Sequence, residues 1–190
     1  MTAPPDTEQQ GEDAVLLVRS CEDAEAFTPI YDRYFPVIHH YVAGRLGTEP
    51  ADDVAAETFL AAFRQRTRFD PRRGAVRPWL FGIATKIVAQ HRRTETRRYR
   101  ALSRAVPGPE AAESHEWRVV AAVGLQPGLA RALASLNRGE RDVLLLSALA
   151  ELSHEEIGQA LGISPGTVGS RLSRARAKLR TQLKELTSDE

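Results

Sequence analysis

The sequence predicts an all-α protein, built as two small helical domains joined by a flexible linker. Three observations predict it. Apolar residues recur at steps of three and four along most of the chain, and no stretch shows the alternation of a strand. Helix-capping pairs punctuate the C-terminal part, where Asn137 precedes Glu140 and Ser153 precedes Glu156 by three positions. Between 101 and 127 the periodicity fades and Pro107, Gly108, Pro109, Pro127 and Gly128 cluster at or beside the segment, which marks a linker. Apolar residues make up 42% of the 190, enough to bury a core, and Ala, Leu, Arg and Glu favour helix.

The elements follow in order. Residues 1–12 are polar and acidic and read as a disordered tail, so the first domain is expected over 13–100. A short helix is expected over Asp13 to Arg19. A long amphipathic helix follows from about Glu22 to Leu46, with Phe27, Ile30, Tyr31, Tyr34, Phe35, Ile38, Tyr41 and Val42 on its apolar side and Pro36 as a potential kink. The next helix runs from about Pro50 to Arg66. Thr48 suits its N-cap, and Asp52, Asp53 and Glu57 fall on its outer side, acids near the positive end of the dipole. A loop, Thr67 to Arg77, holds Pro71 and Gly74. Pro78 opens a further helix that carries Trp79, Leu80, Ile83, Ala84, Ile87 and Val88 on one stripe and turns basic from His91. A short helix around Trp117 to Val123 is possible within the linker. The second domain, 128–186, starts with a helix over Leu129 to Leu136; the two capping pairs then open two more, and Ser164 with Pro165 opens the last, which extends to roughly Lys184.

The net charge of +1 conceals a division. Residues 1–63 carry 3 basic and 12 acidic side chains, residues 64–104 carry 13 and 2, and residues 105–190 carry 10 and 11. A basic middle behind an acidic front points to nucleic acid on the basic part. The single cysteine, Cys21, rules out an intrachain disulfide and a Cys-based zinc site. No apolar run reaches membrane-spanning length and the N-terminus does not resemble a signal peptide, so no membrane insertion and a cytoplasmic location are expected.

Residues Glu155 to Arg174 have the spacing of a helix-turn-helix. Ile157, Leu161, Ile163, Val168 and Leu172 anchor the two helices, Gly158 is small where they approach, and Gly162 stands at the turn, where positive φ is required. In the last helix Val168, Leu172, Ala175 and Leu179 face inward. Thr167, Ser170, Arg171, Arg174 and Lys178 fall largely on the other side, and residues 165–184 hold six basic residues and no acid. A helix presented this way fits the major groove, where arginine bonds a guanine edge bidentately.

The stretch from Leu152-Ser153-His154-Glu155-Glu156-Ile157 to Arg174-Ala175-Arg176-Ala177-Lys178-Leu179-Arg180 resembles region 4 of the extracytoplasmic-function sigma factors, a group within the sigma-70 superfamily. Ile30-Tyr31-Asp32-Arg33-Tyr34, Asp53-Val54-Ala55-Ala56-Glu57-Thr58-Phe59 and Trp79-Leu80-Phe81-Gly82-Ile83-Ala84 resemble region 2 of the same group. The resemblance implies a non-enzymatic, cofactor-free protein that binds core RNA polymerase through its β and β′ subunits and directs it to promoter DNA. It implies that region 2 meets the polymerase through Asp52, Asp53 and Glu57. It implies that the 67–77 loop captures an unstacked base of the −10 element through Arg68, Asp70, Arg72 and Arg73, with Lys86, Gln90, Arg92 and Arg93 along the melted strand. Region 4 would read the −35 duplex through Ser170, Arg171, Ser173 and Arg174, joined by Thr167 and Lys178 from the outer face, and an anti-sigma factor is the expected regulatory partner. The sequence departs from the group's pattern at Gly169, where a basic residue is frequent, at Lys86, where asparagine is frequent, and at Ala56, where glutamine is common.

Two other readings compete. A free-standing helix-turn-helix regulator accounts for 128–184 but not for the first domain. An enzyme would need a phosphate loop, a nucleophile elbow or a metal cluster. Asp52, Asp53 and Glu57 share one helix with no converging second element, a poor Mg²⁺ site.

Overall fold

The computed structural model describes residues 7–103 and 127–188; the expected helix at 117–123 lies outside them. Among the described residues every regular element is helical. The first helix, α1, spans Thr7–Arg19, so it begins inside the stretch expected to be a tail. A 3₁₀ turn, Ala24–Phe27, is capped by Asp23, whose carboxylate accepts from the Glu25 N–H. It leads into α2, Thr28–Leu46. Pro36 does not break α2: the carbonyl it leaves unpaired belongs to Asp32, an exposed position that water can serve. Gly47, at φ 89°, ends the helix.

Helix α3, Ala51–Gln65, opens without the expected Thr48 cap; Pro50 is the N-cap residue and makes no side-chain bond, while the Thr48 carbonyl accepts from Ala51 N–H at 3.2 Å. Short 3₁₀ turns at Arg66–Arg68 and Pro71–Arg73 shape the following loop. Helix α4, Val76–Ser103, begins two residues before Pro78 and runs past the expected start of the linker. An aromatic cluster of Phe27, Tyr31, Phe35, Phe59 and Phe63 locks the turn, α2 and α3 together, largely edge-to-face.

The C-terminal half holds α5, Pro127–Ala134, α6, Arg138–Leu149, α7, His154–Leu161, and α8, Pro165–Ser188. Both capping boxes form as the sequence predicts, at Asn137 with Glu140 and at Ser153 with Glu156. Arg141 donates to the carbonyls of Leu133, Ala134 and Leu136, satisfying acceptors that the end of α5 leaves open. Leu133, Leu136 and Ala175 form a small core between α5 and α8, supported by Leu144 and Leu179.

The larger core does not stop at the division between the two halves. Val143, Leu146, Ile157 and Ala160 of the C-terminal half join the same buried cluster as Ile38, Tyr41, Leu80, Phe81 and Ala84. Helix α7 lies on α4, and α6 meets α2. The two halves therefore pack face to face, a contact that a division at a linker did not foretell.

Candidate nucleic-acid interface

The helix-turn-helix forms as its anchors require. Ile157 and Val168 are fully buried, Leu172 is buried, and Leu161 and Ile163 are half-buried against the core. At Gly158 a Cβ would lie 2.8 Å from the Ile163 carbonyl oxygen, so no larger residue fits beneath the turn. Gly162 adopts φ 67°, ψ 39°, the left-handed conformation that ends α7 with its N–H on the Gly158 carbonyl. Ser164 then caps α8, accepting from Thr167 N–H at 3.2 Å.

The outer face of α8 is narrower than the sequence pattern gave. Ser170, Ser173 and Arg174 are exposed, and Thr167 is half-buried at the head of the helix. Arg174 is held along the helix by a bond from Nε to the Ser170 carbonyl at 3.3 Å. Arg171 is only half-exposed and its guanidinium lies over Gly139 at the start of α6. Lys178 is exposed, yet its Nζ donates to Glu140 Oε2 at 2.8 Å. That pairing, which the sequence did not indicate, holds the Glu140 carboxyl below the usual carboxylate range. Gly169 sits near His154 and leaves the surface open where a side chain would project.

The second surface lies on the loop and α4. Arg68, Asp70, Arg72 and Arg73 are all exposed, and Asp70 caps the turn by accepting from Arg72 N–H at 3.0 Å. Lys86, Gln90 and Arg93 are exposed along α4, one to two turns apart. Arg92 is half-buried and donates to the Arg45 carbonyl at 2.5 Å, so it braces α4 against α2. Trp79 is half-buried, packs on the core, and meets Phe69 edge-to-face at 5.4 Å, in keeping with its place on the apolar stripe.

The third surface is acidic. Asp52, Asp53 and Glu57 are exposed on α3, with His39 Nε2 3.1 Å from Asp52. Leu60, 48% exposed, and Tyr31, 38% exposed, are the large apolar side chains that α2 and α3 leave open. An acidic rim beside exposed apolar groups is chemistry for a basic, partly apolar protein surface. Among the described residues no cluster of His, Cys, Asp and Glu is arranged to hold a metal.

Sequence reasoning missed the residues that join the halves. Arg45 is 3% exposed and its guanidinium donates to Asp142 at 2.7 Å and to the Tyr41 hydroxyl at 2.6 Å. Tyr41 in turn meets Thr85 at 2.8 Å. Burial raises the Tyr41 phenol, so it stays neutral beside this pair. Arg77 donates to the Ala150 carbonyl at 2.6 Å, and Gln159 both donates to the Ala75 carbonyl at 2.9 Å and accepts from its N–H at 3.2 Å. One signal was present in the sequence, a lone arginine at position 45 where the stripe of α2 is otherwise apolar.

Fold and surfaces together define a two-part helical protein with a helix-turn-helix in its C-terminal half, a basic loop and helix in its N-terminal half, and an exposed acidic face on α3. Family comparisons give it a place. The Sigma-70 region 2 family matches residues 30–98, and the Sigma-70, region 4 family matches residues 128–179. The chain is 32% identical over 174 residues to the ECF RNA polymerase sigma factor SigW of Bacillus subtilis, covering 86% of this chain and 92% of that one. It is 31% identical over 166 residues to the RNA polymerase sigma factor CarQ of Myxococcus xanthus, covering 85% and 91%. Among solved structures, CnrH in complex with the cytosolic domain of CnrY is similar at a TM-score of 0.63 and 28% identity, over 92% of this chain and 98% of that one. The chain belongs to the sigma-70 family, in its extracytoplasmic-function group.

Proposed function

We propose that this sigma factor docks on core RNA polymerase through Asp52, Asp53 and Glu57, and reads its promoter with two separate surfaces. Helix α8 enters the major groove of the −35 duplex, with Thr167, Ser170, Ser173 and Arg174 toward the base edges and phosphates. The 67–77 loop and α4 hold the melted −10 strand. Arg68, Asp70, Arg72 and Arg73 surround an extruded base, and Lys86, Gln90 and Arg93 follow the phosphates. Extruding a base costs a few kcal/mol, roughly, so the loop must return that in contacts, and its capped turn is suited to hold them in place. Arg92 supports α4 from behind, and Arg171 and Lys178 support α8. The protein works in the cytoplasm with β and β′, and an anti-sigma factor restrains it.

One observation carries this reading. A capped helix-turn-helix with an exposed polar face is present on the same chain as an exposed acidic face on α3 and a basic loop. The test is to mix the purified chain with sigma-free bacterial core polymerase and score holoenzyme formation and transcript start sites on genomic DNA. Discrete starts that vanish without the chain support the reading. Duplex binding with no association to core would move it to a free-standing regulator.

A further inference from the structure

A cavity of about 330 Å³ is bounded by the C-terminal end of α2, the second half of α4 and the first turn of α6. Arginine dominates its wall: Arg45 from α2, Arg92, Arg93 and Arg97 from α4, and Arg138 and Arg141 from α6. One carboxylate shares the wall, Asp142, and it is already engaged, by Arg45 at 2.7 Å and by Arg138 at 3.7 Å. The register explains the crowding. Arg93 and Arg97 follow Ala89 at steps of four on α4, and Arg138 and Arg141 stand three apart at the start of α6. Such spacings put side chains on one face of a helix, so both helices turn guanidiniums to the same space. Like charges gathered in a concave space repel one another and raise the local positive potential, which concentrates anions there.

A second observation is independent of the charge. Arg45 is 3% exposed. Its terminal nitrogens donate to Asp142 and to the Tyr41 hydroxyl, but its Nε–H is buried and has no partner among the described residues. Buried donors are nearly always satisfied, because the lost bond to water is otherwise not returned. An unmet donor on a side chain that lines an arginine-walled cavity points to an acceptor supplied from outside the chain.

The chemistry of that acceptor follows from the wall. A guanidinium fork matches phosphate oxygens, to which it donates two parallel bonds. Six forks on three helices exceed what one phosphate can occupy, so a chain of linked phosphates suits the cavity better in both charge and length. The volume lies at the lower end for small-molecule sites, which run to about 300–1,000 Å³, and it excludes a duplex. Among the described residues no aromatic side chain lines the cavity, so nothing there stacks a base. The part recognised is the phosphate chain itself, free or carried by a nucleotide.

We infer that the arginine-walled cavity between α2, α4 and α6 is a binding site for a small anion of linked phosphates. Of its six arginines only Arg93 is assigned above to the −10 strand, and Arg45, Arg97, Arg138 and Arg141 have no part in either DNA surface. The inference therefore stands apart from the promoter reading.

The test titrates the full chain with sodium triphosphate by calorimetry, at about 0.15 M salt and without divalent cations. Saturable binding of one triphosphate per chain is expected, with a rise in the thermal unfolding midpoint as the anion is added. Arg97→Gln and Arg138→Gln change exposed side chains of the wall and should each weaken binding by about tenfold. Arg98→Gln removes an equal charge from the next position on α4, outside the cavity, and should leave the affinity unchanged. Circular dichroism of each variant establishes that the helices persist. Replacing triphosphate by ATP separates the two sources. Equal affinity supports recognition of the phosphate chain alone, and tighter binding of ATP supports a nucleotide as its carrier. Absence of saturable triphosphate binding would overturn the site. So would an equal loss from Arg98→Gln and Arg97→Gln, which marks diffuse attraction. A single-stranded oligonucleotide that needs Arg97 and Arg138 where triphosphate does not would also overturn it, and would make the cavity wall part of a nucleic-acid surface.

Discussion

Arg45 and Asp142 stand 97 positions apart in the chain and meet at 2.7 Å, with 3% and 6% of their side chains exposed. Burial alone would favour a neutral Arg45, but the attraction of the Asp142 carboxylate and the hydrogen bonds to it and to the Tyr41 hydroxyl override it and keep the guanidinium charged. Such a pair adds little net stability when intact, because both ions lose water, but it penalises the loss of one partner heavily. Asp142→Ala should lower the free energy of unfolding by about 3–5 kcal/mol, read by urea denaturation of the full chain. A loss within the range of an ordinary surface change, about 0.5 kcal/mol, would mean that Arg45 is solvated and that the pair does not persist in solution.

At Arg174, exposed on α8, replacement by Ala should cost about 1–3 kcal/mol on the preferred −35 duplex under the proposed reading. Binding curves on that duplex and on one altered base by base separate two roles. A loss confined to the preferred sequence marks a base contact, and an equal loss on every duplex marks a phosphate contact, which also lowers the salt slope by about one. Lys178→Ala should leave duplex discrimination unchanged, because its ammonium is paired with Glu140.

Replacing the acidic face tests the polymerase assignment apart from the fold. Asp53→Asn with Glu57→Gln removes two exposed charges from α3, and thermal unfolding should move little, since surface changes are worth about 0.5 kcal/mol or less. Association with core polymerase should weaken and become less sensitive to salt. Unchanged association would remove these residues from the docking surface.

How much of this was legible beforehand follows from the range of each interaction. The capping boxes at Asn137 and Ser153, the positive φ at Gly162 and the anchors of the helix-turn-helix are local, set within four or five residues, and they stand where the pattern put them. The Thr48 cap failed because the N-cap position falls at Pro50, two residues beyond Thr48, and α3 begins at Ala51. The start of α1 at Thr7 also departs from the pattern. Asp13, fully buried and bonded to Arg33 and Tyr34, ties that helix to α2 through partners about twenty positions away. The outward set on α8 was too broad for the same reason. A helical wheel places Arg171 outside, but α6 lies there and offers Gly139; Lys178 is exposed as the wheel has it, yet is paired with Glu140. Contacts between the halves are non-local by construction, and only the oddly placed Arg45 hinted at them.

The Glu140–Lys178 pair gives a pH dependence with a definite sign. Glu140 is 3% exposed at its side chain, accepts from Lys178, and caps α6 through the Asn137 N–H. The lysine bond is the chief cause of its lowered pKa, set against the burial that works to raise it. A carboxyl whose folded pKa lies below its unfolded value contributes stability that is fully present above the unfolded value. That contribution is lost as pH falls through the folded value. For Glu140 the ordinary value is 4.5, so the contribution should be intact at neutral pH and should fade only below that point. Glu140→Gln retains the side-chain shape and much of the cap but removes the charge. Chemical denaturation of both proteins from pH 7 to pH 3 should therefore show the unsubstituted chain more stable at pH 7, with the gap closing as the pH drops below 4.5. A gap that stays constant over that range would show that the charge on Glu140 does not contribute.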